Sequence, residues 1–159
     1  KEGSAYLDFP LNQTYILPDF RRNQKELDKI RVTLDSITSN PDYEITGIYL
    51  TGYASPEGSY AQNEVLSRDR TRALRNYLLR RYSFPENLYH VDWRGEDWIG
   101  LKRLILLYGM PNEEQVLSIM ENYSVFEDLN NGKPYRYMMK HFFPELRRVD
   151  YKITYKVIK

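Results

Sequence analysis

The sequence predicts an α+β fold with a mixed sheet of about four strands, helices packed on one face, and a helical insertion before the last strand. Strand-like and helix-like segments alternate up to residue 93 in the order βαβαβ, which is typical of a sheet covered by helices. Residues 149–157 alternate apolar and polar side chains, which indicates a final strand with one buried face. The 159 residues are expected to form a single domain with the insertion at about 97–143.

The first three elements follow from hydrophobic periodicity. Residues 4–9 alternate apolar and polar positions, as a half-buried strand does. A helix is predicted from about Asn23, because four aliphatic residues recur at spacings of three and four as far as Ile37. Residues 43–54 are rich in isoleucine, tyrosine and threonine and predict the second strand.

The second helix follows a turn-rich segment at 52–58. Ser59 and Gln62 have the spacing of a capping box, so the helix is expected to begin there and to run to about Tyr82. Its apolar face is predicted to carry Leu66, Ala73, Leu74, Tyr77 and Leu78. Residues 88–93 predict the third strand.

The insertion is predicted to be helical throughout. Its first helix ends at Gly109, and the next carries an inward face of Val116, Ile119, Met120 and Tyr123. A further helix is expected to begin at Pro134, because proline suits the first helical turn, and to end at Pro144. The many aromatic residues of this segment predict either a core of its own or a surface that docks another protein.

Composition excludes several classes of function. There are 23 Lys and Arg residues against 22 Asp and Glu, so the net charge is +1 and gives no bulk attraction to nucleic acid. We therefore predict no nucleic-acid partner. Cysteine is absent, which excludes disulfides and thiolate metal sites. No apolar run approaches 18 residues, so no membrane span is predicted. The chain begins at Lys1 without a targeting segment, and we interpret it as a piece whose upstream part is not in view.

Arg70 is the most informative residue. It lies four residues after Leu66 and four before Leu74, which places its guanidinium on the apolar face of the second helix. A buried charge without a partner costs about 3–5 kcal/mol, so Arg70 should meet a protein carboxylate, strand-end carbonyls or a ligand carboxylate. Asn63 lies on the same stripe, seven residues earlier, and either lines a pocket or ties down the preceding turn.

Chemistry of other kinds is not indicated. Gly52 and Ser55 do not form the turn of a nucleophilic serine, and no histidine is placed to serve one. His90 and Asp92 share a strand face, but two distant histidines without thiols make a poor metal set. We therefore predict no enzyme, no cofactor and no metal site.

The segment from Tyr43 to Tyr82 resembles the peptidoglycan-associating domain of the OmpA-like family. That family has a G-x-x-D-x-x-G turn followed by N-x-x-L-S-x-x-R-A, and this chain has G-Y-A-S-P-E-G at 52–58, then Asn63, Leu66-Ser67 and Arg70 at the same spacing. The resemblance extends to Asn12 and Pro18 upstream, and to Leu146-Arg147-Arg148-Val149 before the last strand.

The resemblance implies a noncatalytic domain that binds the peptide stem of peptidoglycan through diaminopimelate. Arg70 would hold a carboxylate of that residue, Asn63 would line the pocket, Arg147 would lie at its rim, and Asn12 would be a further contact. The domain would anchor an outer-membrane or surface protein to the cell wall, on the periplasmic face of the outer membrane of a Gram-negative cell.

One position departs from the family pattern. The acidic residue that grips the ligand in the family falls on Ser55 here, which offers only a neutral acceptor. Glu57, two residues later, could turn inward to take its place, or could face water. The alternative function is a protein–protein interaction or surface-appendage assembly module that keeps the fold with a degenerate pocket. The helical insertion at about 97–143 would then dock another envelope or surface-assembly protein.

Overall fold

The computed structural model describes residues 1–120 and 123–158 and confirms the predicted α+β class and element order. The strands are β1 Glu2–Asp8, β2 Tyr43–Ala54, β3 Tyr89–Glu96 and β4 Arg148–Val157. The helices are α1 Asn23–Thr38, α2 Tyr60–Arg81, α3 Trp98–Tyr108, α4 Glu113–Ile119, α5 Tyr123–Asp128, α6 Lys133–His141 and α7 Phe143–Leu146. Single 3-10 turns occur at Glu86–Leu88 and Leu129–Gly132.

The sheet has the strand order β1-β4-β2-β3. Strands β2 and β3 are parallel because α2 crosses over between them, whereas β4 runs antiparallel to both β1 and β2. The end of β1 therefore lies beside the start of β4, where Asp8 pairs with Arg148, and the end of β2 lies on the other side of the same point. This edge of the sheet brings together the loop after β1, the turn after β2 and the residues that precede β4.

One face of the sheet is covered by α1 and α2. Alternate strand residues and the predicted aliphatic stripe of α1 form this core, which contains Leu7, Ile48, Leu50, Val149 and Ile153 from the strands and Leu27, Ile30, Leu34 and Ile37 from α1. The inward residues Val149, Tyr151 and Ile153 of β4 are buried as the alternation predicts, whereas Val157 at the strand end is 50% exposed.

The buried stripe of α2 differs from the predicted one. Ser67 and Thr71 are fully buried, whereas Leu66, Ala73 and Tyr77 are only half-buried. The cause is a close approach of α2 to β2: a Cβ atom on Gly52 would lie 2.0 Å from Thr71 Oγ1 and 2.2 Å from the Ser67 carbonyl. Only small helix residues fit against this glycine, which lies in β2 and not in the turn after it.

The insertion has a separate hydrophobic core. It is built from Leu101, Ile105, Val116, Phe126, Met138, Phe142, Phe143 and Leu146. The helical segment continues to Leu146, because Pro144 lies in the first turn of α7; the prediction that it ends the preceding helix is wrong, since α6 already ends at His141. Gly109, at φ 71°, ends α3 as expected, and the predicted inward position of the Tyr123 side chain lies outside the described residues.

Within residues 1–120 and 123–158, no helix combines the length and apolar character that a transmembrane helix requires.

Candidate functional site

Arg70 is the largest fully buried side chain among the described residues, with 1% of its surface exposed. Its Nε donates to the carbonyl of Gln13 at 2.9 Å, Nη1 to the carbonyl of Tyr53 at 3.2 Å, and Nη2 to the carbonyl of Pro10 at 3.1 Å. Its guanidinium also lies 5.4 Å from the centre of the Phe9 ring. Of the three kinds of partner expected for Arg70, the structure supplies backbone carbonyls at the sheet edge.

The charge of Arg70 is not balanced by an acid. Within the part of the chain that the structure describes, Arg70 forms no salt bridge, and its one charged neighbour of consequence is the cation of Arg147. Burial lowers the pKa of Arg70 to about 10, and repulsion from Arg147 adds to this effect. The guanidinium is therefore a buried cation at neutral pH that an anionic group would stabilise.

Ser55, Glu57 and Arg147 form a hydrogen-bonded cluster beside Arg70. The Ser55 hydroxyl donates to Glu57 Oε1 at 3.0 Å and accepts from Arg147 Nε at 3.2 Å, while Arg147 Nη2 donates to the same Glu57 oxygen in a short contact. The side chain of Glu57 is only 14% exposed, so it turns inward, and that of Arg147 is 11% exposed. Of the two orientations considered for Glu57, the structure therefore shows the inward one, with the carboxylate beside the Ser55 hydroxyl.

Asn63 joins the turn to β3. Its Nδ2 donates to the Glu57 carbonyl and to Glu96 Oε2, each at 2.7 Å, and the residue is 3% exposed. Both contacts tie the 55–58 turn to its surroundings, as the alternative interpretation of this residue expected. The helix that carries Asn63 is capped by Ser59, whose hydroxyl accepts from the Gln62 amide at 3.1 Å.

Comparison with solved structures relates this arrangement to known proteins. The peptidoglycan-associated lipoprotein of Burkholderia pseudomallei superposes with a TM-score of 0.53 at 12% identity, covering 94% of this chain and 90% of that one. The OmpA-like domain of FopA1 from Francisella tularensis gives a TM-score of 0.53 at 11% identity, covering 99% and 75%. The fold is that of an OmpA-like domain.

Sequence comparison matches a much shorter part of the chain than structural comparison does. No protein-family model matches the chain. A segment of 49 residues is 39% identical to outer membrane protein 41 of Porphyromonas gingivalis, which is 31% of this chain and 12% of that protein. The chain thus matches a small part of that relative, so the activity of the whole relative is not transferred from the match.

The OmpA-like motif residues are brought together with one exception. Arg70, Asn63, Ser55, Glu57 and Arg147 all lie at the sheet edge where β1 and β2 end. Asn12 is exposed and in the left-handed region at φ 59°, and among the described residues it makes no side-chain hydrogen bond. Asn12 lies in the same loop as Pro10 and Gln13, whose backbone carbonyls accept hydrogen bonds from Arg70, but the Asn12 side chain does not bond to Arg70.

A second charged cluster at the same edge was not predicted. Arg148 donates from Nη1 to Asp97 Oδ2 at 2.7 Å and from Nε to Asp150 Oδ1 at 2.8 Å, and its guanidinium lies 4.2 Å from the centre of the Tyr53 ring. Strand alternation could have indicated that Arg148 belongs to a different cluster from Arg147, because the side chains of adjacent strand residues point to opposite faces of a sheet. Its partner Asp97 could not have been found, since it lies 51 residues away in sequence.

A metal ion finds no ligand set in residues 1–120 and 123–158, where no group of three histidine, aspartate or glutamate side chains converges. His90 stacks on Tyr49 with ring centres 4.7 Å apart. This edge of the sheet offers a pair of arginines, one acid and one hydroxyl, which is a set able to hold a charged ligand.

Proposed function

We propose that this domain binds the peptide stem of peptidoglycan noncovalently, through the diaminopimelate residue. The observation that carries the proposal is Arg70, a buried cation with no acidic partner among the described residues, at the position that matches the ligand-binding arginine of the OmpA-like motif. A carboxylate adds the attraction of an opposite charge to the hydrogen bonds of a guanidinium and can accept two of them in parallel, which a single carbonyl cannot do. A ligand carboxylate would therefore compete well for this guanidinium.

The ligand would reach Arg70 through the loop after β1. A guanidinium has five N–H groups, and the carbonyls of Pro10, Gln13 and Tyr53 occupy three of them. Because Arg70 is 1% exposed, the Pro10–Gln13 segment has to move aside to admit a ligand. Glu57 would accept from the ammonium group of the same residue in place of the family's aspartate, with Asn63 holding its turn and Arg147 at the rim.

The biological role we infer is that of a noncatalytic anchor. It would attach an outer-membrane or surface protein to the cell wall from the periplasmic face of the outer membrane. The names of the relatives support this compartment, since one is an outer membrane protein and another a peptidoglycan-associated lipoprotein.

Retention on purified peptidoglycan sacculi tests the proposal. Arg70→Ala is expected to abolish cosedimentation, whereas Arg68→Ala, two positions away on the half-exposed side of α2, leaves it unchanged. Arg70→Lys, which keeps the charge but loses the planar fork, is expected to be intermediate. Circular dichroism establishes that each variant is folded, and unchanged retention of a folded Arg70→Ala protein would refute the site.

A second candidate function is a protein–protein interaction module that retains the fold with a degenerate pocket. Two observations favour it: Glu57 is already paired with Arg147, and α3 presents an exposed apolar surface. That surface consists of Ile99, Leu106, Leu107 and Tyr108, each at least 61% exposed. Failure of the wild-type domain to bind sacculi, together with loss of a partner on Leu106→Asp, would favour this module over the anchor.

A further inference from the structure

A cavity of about 700 Å³ lies on the face of the sheet opposite α1 and α2. Its floor is formed by β1, β4 and β2, and its walls by Arg22, just before α1, and by residues of α3 and α7 from the insertion. Sites for small ligands commonly have volumes of about 300–1,000 Å³. The cavity is separate from the Arg70 edge, since neither Arg70 nor Arg147 lines it.

The cavity is lined by charged side chains together with aromatic and aliphatic ones. Among the described residues, its basic members are Arg22, Lys29, Arg103, Arg148 and Lys152, and its acidic members are Glu145 and Asp150. Its apolar surface comes from aromatic rings and a few aliphatic side chains, namely Tyr6, Tyr49, Tyr151, Ala5, Leu104 and Leu146. A purely apolar ligand would remove the charged groups from solvent without pairing them, and the basic side chains outnumber the acidic ones, so we expect a ligand with polar groups and negative charge.

Arg103 is a cation of the cavity wall that has no ion-pair partner among the described residues. Arg22 and Arg148 are held by carboxylates, and Lys152 has a distant partner in Glu2 at 3.8 Å. Arg103 makes no hydrogen bond or ion pair with any described residue, although it lies on the wall of the cavity. It is therefore the group best placed to meet an acid on the ligand.

The floor favours a ligand with many hydroxyl groups. Ser4 and Thr51 offer hydroxyls, and Asp150 and Glu145 accept hydrogen bonds. A hydroxyl both donates and accepts, so a polyhydroxylated ligand can meet this mixture, whereas the two carboxylates would repel a densely charged phosphate. An extended peptide is disfavoured because β4 and β2 are inner strands whose backbone groups are already paired on both sides.

We infer that this cavity binds a carboxylated saccharide, with Arg103 and Lys152 contacting the acid group. This site is additional to the stem-peptide site and does not depend on it. Two sources share the chemistry: murein glycan strands from which the peptides have been removed, which expose a carboxylate on alternate sugars, and an acidic polysaccharide that contains uronic acids.

Calorimetric titration of the whole domain tests the inference with three oligosaccharides. Peptide-free murein glycan and an oligogalacturonate represent the two sources, and a chitooligosaccharide provides the uncharged murein backbone. We expect at least one acidic oligosaccharide to bind. The chitooligosaccharide should bind at least about tenfold more weakly, because it lacks the acid group that makes the charge-assisted contact. The preferred acidic probe identifies the source.

Two pairs of variants localise the binding. Arg103→Glu is expected to weaken the acidic saccharide at least about tenfold. Lys102→Glu makes the same charge change at the exposed neighbouring position outside the cavity and should leave binding unchanged. Lys152→Glu is expected to act like Arg103→Glu, with Lys156→Glu, farther along β4, as its matched control.

Several results would overturn the inference. These are the failure of both acidic saccharides to bind, equal binding of the chitooligosaccharide, or equal loss in the Lys102→Glu control. Tighter binding of a triglutamate peptide than of either saccharide would show that the cavity takes acidic peptides. Stem-peptide binding is measured in parallel, and its survival in Arg103→Glu distinguishes failure of this site from failure of the anchor function.

Discussion

The pKa of a buried arginine is shifted in opposite directions on the two faces of the sheet. On the covered side, Arg70 meets three carbonyls and no described acid, and burial lowers its pKa to about 10. On the open side, burial also acts to lower the pKa of Arg148, but the charges of Asp150 and Asp97 outweigh it and the pKa is raised. One cation is neutralised within the fold, and the other is not.

The difference separates a charge that carboxylates of the fold neutralise from a charge that we propose binds a ligand. Arg148 fastens β4 to the start of α3, because Asp97 also caps that helix by accepting from the Gly100 amide at 2.9 Å. Arg70 fastens a loop through neutral groups, which leaves its charge available to an anion. Substitutions should therefore affect stability most on the open face and ligand binding most on the covered face.

The largest effect on stability is expected from Arg148→Met. It leaves Asp97, whose side chain is 7% exposed, without its cation, and breaking a buried pair in this way costs about 3–5 kcal/mol. Urea unfolding measures the loss. Adding Asp97→Asn, which keeps the helix cap and removes the unpaired charge, should recover part of it.

Arg31→Met is the matched control for Arg148→Met. Its pair with Asp28 lies on the surface of α1, with both side chains at least half exposed, so the change should cost about 0–1 kcal/mol. Equal losses in the two variants, or no recovery in the Arg148→Met/Asp97→Asn protein, would show that Arg148 is not neutralised structurally as the comparison requires.

On the covered face, the expected effect is on binding. Glu57→Ala should weaken stem-peptide binding more than Ser55→Ala, because it removes a charge-assisted acceptor worth about 1.5–3 kcal/mol, whereas Ser55 supplies a neutral bond worth about 0.5–1.5 kcal/mol. Calorimetry with a diaminopimelate-containing muropeptide measures both. The reverse order would exclude Glu57 as the substitute for the family's aspartate.

The contrast between the two arginines also marks what the sequence could predict. Burial of Arg70 follows from its spacing to Leu74, which is local information, and the sheet and α1 follow from periodicity of the same kind. Two of the three carbonyls that accept hydrogen bonds from Arg70 belong to Pro10 and Gln13. These residues lie in a loop without periodicity, about 60 residues away in sequence. The open-face cavity was not predicted for the same reason, since the insertion that walls it packs on a separate core.

The smallest effect is expected at Glu145, which lies beside the cavity. Burial alone would raise its pKa, but the hydrogen bond from Arg22 and the charge of Arg21 hold the pKa below its usual 4.5. Stability from this group is thus fully present above pH 4.5 and is lost as the pH falls through the lowered pKa. Glu145→Gln should cost below about 1 kcal/mol at pH 6, because the carboxylate is 37% exposed and screened by solvent.

Urea unfolding of the wild type and Glu145→Gln between pH 6 and pH 3 measures this effect as the difference between the two proteins. The difference is the appropriate quantity because Asp8 shares both arginines, and burial raises its pKa despite them, which gives it the opposite pH dependence. The difference should shrink steadily as the pH falls below 4.5. A difference that grows at acidic pH would mean that Glu145 does not neutralise the arginines of the open face, and the contrast with Arg70 would then rest on Arg148 alone.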